Sequence, residues 1–142
     1  MTVLILDPNA PLRRRIAEHL ETNGYRVLEA ETSAAAAELC RHVYGMIDLM
    51  LVEAVLPGMP GIEFVKRAWL LGARAPVVFM TEDRDWLENA RNCNLLRKPF
   101  SVHALLGKVA ELVGAPGHSE TPAERGASNR TKEASEYLHP SC

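Results

Sequence analysis

The stretch Asp48-Leu-Met-Leu-Val-Glu53-Ala-Val-Leu-Pro57-Gly-Met-Pro-Gly61 predicts a buried strand, a turn and the start of a helix, in that order. Leu49 to Val52 is a continuous apolar run, as expected of a parallel strand that is buried on both faces. Pro57 to Gly61 is a cluster of turn-forming residues. Gly61 then begins a helix that we expect to reach about Leu71. The stretch is therefore typical of one βα unit of a parallel sheet.

The same alternation of apolar runs and amphipathic segments extends outward in both directions along the chain. It predicts five strands: Val3 to Leu6, Tyr25 to Leu28, Leu49 to Val52, Pro76 to Met80, and Leu95 with Leu96. It predicts five helices: Pro11 to Asn23, Ala34 to Cys40 with Ser33 as its cap, Gly61 to Leu71, Trp86 to Asn92, and Val102 to Leu112 with Ser101 as its cap. Strands that alternate with helices in this way favour an α/β fold with a doubly wound, five-stranded parallel sheet.

Length and charge narrow the class of protein. A chain of 142 residues is enough for one domain. The formal net charge of −2 argues against binding to nucleic acid through phosphate contacts. The only basic cluster, Arg13-Arg14-Arg15, is interpreted as a solvated helix face. The apolar run at the N-terminus is too short for a signal peptide or a membrane span, so we expect a cytoplasmic protein without membrane contacts.

The composition changes after Gly114. Residues 115–142 are rich in Ser, Pro, Glu, Arg and Ala and offer little apolar surface to bury. We therefore predict a folded domain over residues 1–114 and a disordered tail over 115–142.

Four polar side chains follow the predicted strands at one edge of the sheet. Asp7, Glu53, Thr81 and Lys98 come at the ends of strands one, three, four and five. Ligands of open parallel sheets bind beyond the carboxyl ends of the strands, so these side chains are expected to share one crevice. Two carboxylates require a cation, which Lys98 can supply, and Thr81 can donate a hydrogen bond to an oxyanion between them.

These motifs together resemble the receiver domains of response regulators, the CheY-like superfamily, over residues 2 to about 113. The resemblance rests on four motifs: Leu-Ile-Leu-Asp7, the stretch Asp48 to Gly61, Val-Val-Phe-Met-Thr81 and Lys98-Pro99-Phe100. It implies a flavodoxin-like (βα)5 receiver fold with strand order 2-1-3-4-5. It also implies Mg²⁺-dependent transfer of a phosphoryl group from a histidine kinase to an aspartate. By position, Asp7 is the first acid of the metal-binding pair, Thr81 the switch hydroxyl, and Lys98 the lysine that precedes a cis Pro99.

The chain departs from the family's pattern around this pocket. Pro8 stands where the resemblance implies a direct metal ligand, and a proline side chain has no donor atom for Mg²⁺. Glu53 replaces the acceptor aspartate. Glu82 stands where the family has a small residue, and Leu95 where it usually has an aromatic residue that moves on activation. The segment between Thr81 and Lys98 is also short, which predicts a truncated fourth helix.

Each pocket residue also has a structural interpretation. Glu53 either forms a salt bridge with Lys98 or mimics a constitutively active state, and both exclude normal phosphoryl transfer. Either Asp7 or Asn9 could cap the first helix, and capping is favoured over metal binding for Asp7. Thr81 could simply end its strand by bonding to the main chain.

The sequence therefore predicts a stand-alone receiver-like signalling protein that interacts with partners without phosphorylation, and not an enzyme. We expect no catalytic residue and no cofactor beyond weak residual Mg²⁺ binding. The expected partner is a histidine kinase or another signalling protein, or a second copy bound through the fourth helix, fifth strand and fifth helix. One alternative is a phosphoacceptor served by a histidine kinase. A second is a flavodoxin-like binder of a small ligand, although the loop Pro8-Asn9-Ala10-Pro11 lacks phosphate-binding glycines.

Overall fold

Five parallel strands form the central sheet of the computed structural model, which describes residues 1–43, 45–90 and 93–115. The strands are β1 (Thr2–Leu6), β2 (Arg26–Ala30), β3 (Leu49–Glu53), β6 (Val77–Thr81) and β7 (Asn94–Arg97). Two-residue strands β4 (Val55–Leu56) and β5 (Met59–Pro60) pair as a separate antiparallel hairpin. The order in the sheet is β2-β1-β3-β6-β7. This confirms the predicted order 2-1-3-4-5, because the hairpin only shifts the numbers of the last two strands.

Five helices cover both faces of the sheet. They are α1 (Ala10–Thr22), α2 (Ser33–Val43), α3 (Gly61–Leu70), α4 (Arg84–Asn89) and α5 (Val102–Val113). Side chains of α1 and α5 share one apolar cluster with alternate residues of β1, β3 and β6. Side chains of α2 and α3 share the other cluster with the remaining residues of the same strands. The doubly wound α/β fold is therefore confirmed.

The central strands explain why long apolar runs are needed here. Every residue of β1 and β6 is buried, and in β3 only the last residue, Glu53, is partly exposed. Successive side chains point to opposite faces, so each face of the sheet receives half of each run. Because both faces are covered by helices, polar residues occur in these strands only at the first or the last position.

Several boundaries differ from the predicted ones because short polar side chains cap the helices. The fourth helix begins at Arg84, two residues earlier than predicted, because the Asp83 carboxylate accepts a hydrogen bond from the main-chain N–H of Trp86 at 2.8 Å. The Thr32 hydroxyl, rather than Ser33, accepts from the N–H of Ala35 at 3.1 Å at the start of α2. The hairpin β4–β5 occupies the segment that was predicted as a simple turn.

The end of the domain is tied to the start of β2. The Tyr25 hydroxyl donates a hydrogen bond to the carbonyl oxygen of Gly114 at 3.1 Å. The predicted tail lies outside the described residues from position 116 onward. Among the helices of the described ranges, none is both long enough and apolar enough to cross a membrane.

Candidate functional site

The topology brings the four predicted polar residues together at the carboxyl edge of the sheet. Asp7 directly follows β1, Glu53 ends β3, Thr81 ends β6, and Lys98 directly follows β7. These four strands are consecutive neighbours in the sheet, so their ends line one crevice. Asp7 and Thr81 are buried. The side chains of Glu53 and Lys98 are 13% and 12% exposed, so solvent only partly screens their charges.

Lys98 lies between the two carboxylates. Its Nζ donates a hydrogen bond to Oδ2 of Asp7 at 2.7 Å. The same Nζ lies 3.2 Å from Oε2 of Glu53, an ion-pair distance. Oε2 of Glu53 is buried without a hydrogen bond of good geometry, so the charge of Lys98 provides its main compensation. The pocket therefore holds two carboxylates and one ammonium.

The pKa of Glu53 is raised above its ordinary value. Burial is the largest cause, because it disfavours the charged carboxylate. The charge of Lys98 and its contact with Glu53 lower the pKa, and the charge of Asp7 raises it. The net direction is upward, so Lys98 does not fully offset the cost of keeping Glu53 ionised at this position.

Asp7 is held by the main chain as well as by Lys98. Its Oδ1 accepts from the N–H of Asn9 at 2.9 Å, and its own N–H donates to the carbonyl of Ala30 at 3.1 Å. Asn9 is the residue that caps α1, since its side chain accepts from the N–H of Leu12 at 3.1 Å. Of the two caps that the sequence left open, Asn9 is therefore the one observed. The capping interpretation of Asp7, which was favoured over metal binding, is wrong, and its carboxylate faces the pocket.

Arg13 belongs to the support of this site, and the sequence analysis missed it. Its Nη1 donates to the carbonyl oxygen of Asp7 at 2.7 Å, and its Nε pairs with Glu29 of β2 at 3.2 Å. The Arg13 side chain is only 14% exposed, so the interpretation of the arginine run as a solvated face is wrong for this residue. Arg14 also pairs with Glu29, and with Glu21 at 2.6 Å. The sequence signal for this role of Arg13 was the acidic residue Glu29 in the neighbouring strand β2.

Thr81 ends β6, between β3, which ends at Glu53, and β7, which precedes Lys98. The Thr81 hydroxyl accepts from the N–H of Asp83 at 3.1 Å, which is the main-chain role considered for it. Glu82 is exposed. Leu95 is partly buried against the apolar cluster of α2 and α3, beside Phe79 in the sheet register. The fourth helix has only six residues, as the short segment predicted.

The residues present make a poor magnesium site, at most a weak one. Mg²⁺ requires several oxygen ligands in octahedral geometry. Pro8 supplies none, and both carboxylate oxygens of Asp7 already accept hydrogen bonds, one of them from Lys98. Within residues 1–43, 45–90 and 93–115, no group of three His, Cys, Asp or Glu side chains could hold a metal. The peptide bond between Lys98 and Pro99 is cis, as the resemblance implies.

Comparison with known proteins identifies the class of protein. Residues 3–110 match the family described as the response regulator receiver domain, so the chain belongs to that family. The chain is 26% identical to the crystallised receiver domain of the hybrid histidine kinase CckA, with a TM-score of 0.70 and coverage of 80% of this chain and 99% of that one. The family resemblance inferred from the sequence is confirmed.

Two curated relatives differ in how much of their own length this chain covers. The phosphate regulon transcriptional regulatory protein PhoB of Pseudomonas aeruginosa is 33% identical over 134 residues, covering 88% of this chain and 58% of that protein. The response regulator receiver protein CpdR of Brucella abortus is 26% identical over 116 residues, covering 78% of this chain and 95% of that protein. The chain thus spans little more than half of the first relative and nearly all of the second.

Proposed function

We propose that this receiver is a protein-interaction module of a two-component or phosphorelay system whose output does not depend on phosphorylation. The proposal rests on one observation, the ammonium of Lys98 bonded to Asp7 at 2.7 Å and paired with Glu53 at 3.2 Å. In this arrangement the lysine is neutralised by the protein itself. It is then not available to neutralise a phosphoryl group. We assign the protein a signalling role and no enzymatic reaction.

Charge in the pocket supports this proposal. Asp7, Glu53 and Lys98 together carry about one net negative charge when all three are ionised. Like charges at about 4 Å repel by roughly 4 kcal/mol at an effective dielectric constant of 20. A phosphoryl group brought to Glu53 would meet this repulsion without a divalent ion to offset it, since Pro8 supplies no ligand. Weak residual Mg²⁺ binding by Asp7 stays a prediction.

Phosphodonor titration tests the proposal. We expect no saturable change in the amide NMR signals of Thr81 and Lys98 when acetyl phosphate or beryllofluoride is added with Mg²⁺. A matched double variant, Pro8→Asp with Glu53→Asp, restores both acids of the pattern and is expected to recover Mg²⁺ binding in part. Phosphorylation of the unaltered chain, detected as a stable mass increase of one phosphoryl group, would refute the proposal and favour the phosphoacceptor alternative.

The double variant also separates two causes. Recovery would assign the loss of function to positions 8 and 53. If the double variant shows no Mg²⁺-dependent change, the obstacle lies in Glu82 and the short α4 instead. The flavodoxin-like alternative predicts a flavin or nucleotide that copurifies with the protein, which absorbance of the purified chain detects.

The output surface is proposed to lie on α4, β7 and α5. Leu87 of α4 is partly exposed and belongs to neither apolar core cluster, so it is available to a partner. The occupant is proposed to be a kinase, another signalling protein or a second copy of this chain. Leu87→Glu should abolish a dimer seen by light scattering, whereas Leu70→Glu, on α3 and already 85% exposed, should leave it intact.

The stand-alone and cytoplasmic character expected from the sequence stays a prediction.

A further inference from the structure

A groove of about 430 Å³ lies between α1 and α5, next to the carboxylate–lysine site. Leu12 and Ile16 of α1, Leu105 of α5, and Phe100 of the connecting segment provide its apolar lining. Ligand sites in proteins are typically clefts of roughly 300–1,000 Å³ with an apolar lining and a few polar groups. The groove has the size and composition of such a site.

The two ends of the groove differ in charge. Asn9, Leu12, Arg15, Ile16 and His19 all line it, and their spacing of three or four residues places them on one face of α1. At a rise of 1.5 Å per residue, Arg15 lies about 9 Å and His19 about 15 Å along the helix from Asn9. The groove therefore runs along α1, away from the sheet edge toward the basic side chains.

The end near the sheet edge is acidic. Glu82 and Lys98 line the groove there. The charge of Lys98 is already compensated by Asp7 and Glu53, so the charge of Glu82 determines the character of this end.

Arg15 differs from Arg13 and Arg14 in its ion pairing. Arg13 and Arg14 both pair with Glu29, whereas no acidic side chain pairs with Arg15 among the residues that the structure describes. His19 lines the groove one turn further along α1. A basic side chain beside an apolar lining favours a ligand that carries both an apolar body and a negative charge.

We propose that this groove binds a small amphipathic monoanion, such as an alkyl or aryl carboxylate. Its apolar body would pack on the accessible parts of Leu12, Phe100 and Val102, above the buried Ile16 and Leu105. Its anionic group would pair with Arg15 beside His19. The end that faces Glu82 would be neutral or cationic, because a second negative charge there would be repelled. A ligand in this groove would contact Lys98, and so would act on the ion pairs of the pocket without a phosphoryl group.

Matched eight-carbon ligands test the proposal on the full chain. Octanoate should shift the amide signals of Leu12, Ile16 and Leu105 saturably in a nitrogen-edited NMR titration. Octanedioate, with its second carboxylate near Glu82, should bind several-fold more weakly, and octanol, which has no charge to pair with Arg15, should also bind more weakly than octanoate. Arg15→Gln should weaken octanoate binding by roughly two- to five-fold, because an ion pair with an exposed arginine contributes about 1 kcal/mol or less. The exposed Arg67 on α3, on the other face of the sheet, gives the control variant Arg67→Gln, which removes the same charge and should change nothing.

Three results would overturn the proposal: no saturable shift with octanoate, equal binding of octanoate and octanol, or equal octanoate affinity in Arg15→Gln and the unaltered chain. Arg15 is exposed, so its substitution should leave the circular dichroism spectrum unchanged and the comparison valid. Phosphodonor titration does not involve Arg15, so failure of the groove proposal is distinguishable from failure of the proposed signalling role.

Discussion

Replacing Lys98 by Met should remove a large part of the stability of this domain. Methionine keeps an unbranched side chain of similar length but carries no charge. The substitution would leave the Asp7 carboxylate, 2% exposed, and the Glu53 carboxylate, 13% exposed, without their shared cation. Removal of one partner from a buried ion pair typically costs about 3–5 kcal/mol. Since domains are typically stable by about 5–15 kcal/mol, the variant should be close to unfolding in mild denaturant.

The expected loss depends on pH in a defined direction. Burial raises the pKa of Glu53, and Lys98 is the strongest of the influences that lower it. Without the lysine, the folded-state pKa of Glu53 lies further above the unfolded value. A carboxyl with a raised folded-state pKa binds protons more tightly in the folded state, so stability falls as pH rises through that value. The deficit of Lys98→Met should therefore be larger at about pH 7.5 than at about pH 5.

Urea unfolding followed by circular dichroism at these two pH values measures the deficit. Lys66→Met is the control, because Lys66 is 53% exposed and pairs with Glu63 across 3.6 Å on the surface of α3. Its loss should be about 1 kcal/mol or less. A loss below about 1 kcal/mol for Lys98→Met at both pH values, or a larger loss at the lower pH, would refute the reasoning.

Three further substitutions concern Glu53, Gly107 and Gly61. Glu53→Gln should be at least as stable as the unaltered protein near neutral pH, because the raised pKa of Glu53 means that folding disfavours its ionised form. As pH falls toward 4.5, the unaltered protein should gain stability relative to the variant. The opposite trend in urea unfolding would contradict burial as the cause of the raised pKa. Gly107→Ala should stabilise the domain by up to about 1 kcal/mol, because Gly107 lies inside α5 and an added Cβ meets nothing within 4 Å. Gly61→Ala should destabilise the domain by about 1–3 kcal/mol, because the added Cβ would lie 2.6 Å from the main-chain oxygen of Glu53. The thermal midpoints of Gly107→Ala and Gly61→Ala should therefore move in opposite directions, and equal midpoints would contradict the packing argument.

The fold could be predicted because its strands are buried on both faces. Apolar runs such as Val3 to Leu6 and Val77 to Met80 have few alternatives once five of them alternate with amphipathic segments. Errors occurred where a single side chain decides the boundary. Asp83 determines where α4 begins, and its role depends on a hydrogen bond of 2.8 Å that periodicity does not encode.

The site could be predicted in composition but only partly in geometry. Strand order alone brings Asp7, Glu53 and Lys98 to one edge, so their proximity followed from the sequence. The closer contact of Lys98 with Asp7 than with Glu53, 2.7 Å against 3.2 Å, depends on side-chain rotamers. Arg13 was missed because its partner, Glu29, is 16 residues away and meets it only through packing of α1 beside β2.

The lysine between two carboxylates also constrains the routes by which this pocket could change over generations. An aspartate introduced at Pro8 alone would add a third negative charge beside a single cation, at a cost in stability before any metal is bound. An aspartate introduced at Glu53 alone would shorten the partner of Lys98 and still leave the pocket without a second metal ligand. Either substitution alone would therefore lower the stability of the domain or leave Mg²⁺ binding unchanged. The two departures are therefore coupled, since neither substitution alone would give the pocket the full set of acids in the family's pattern.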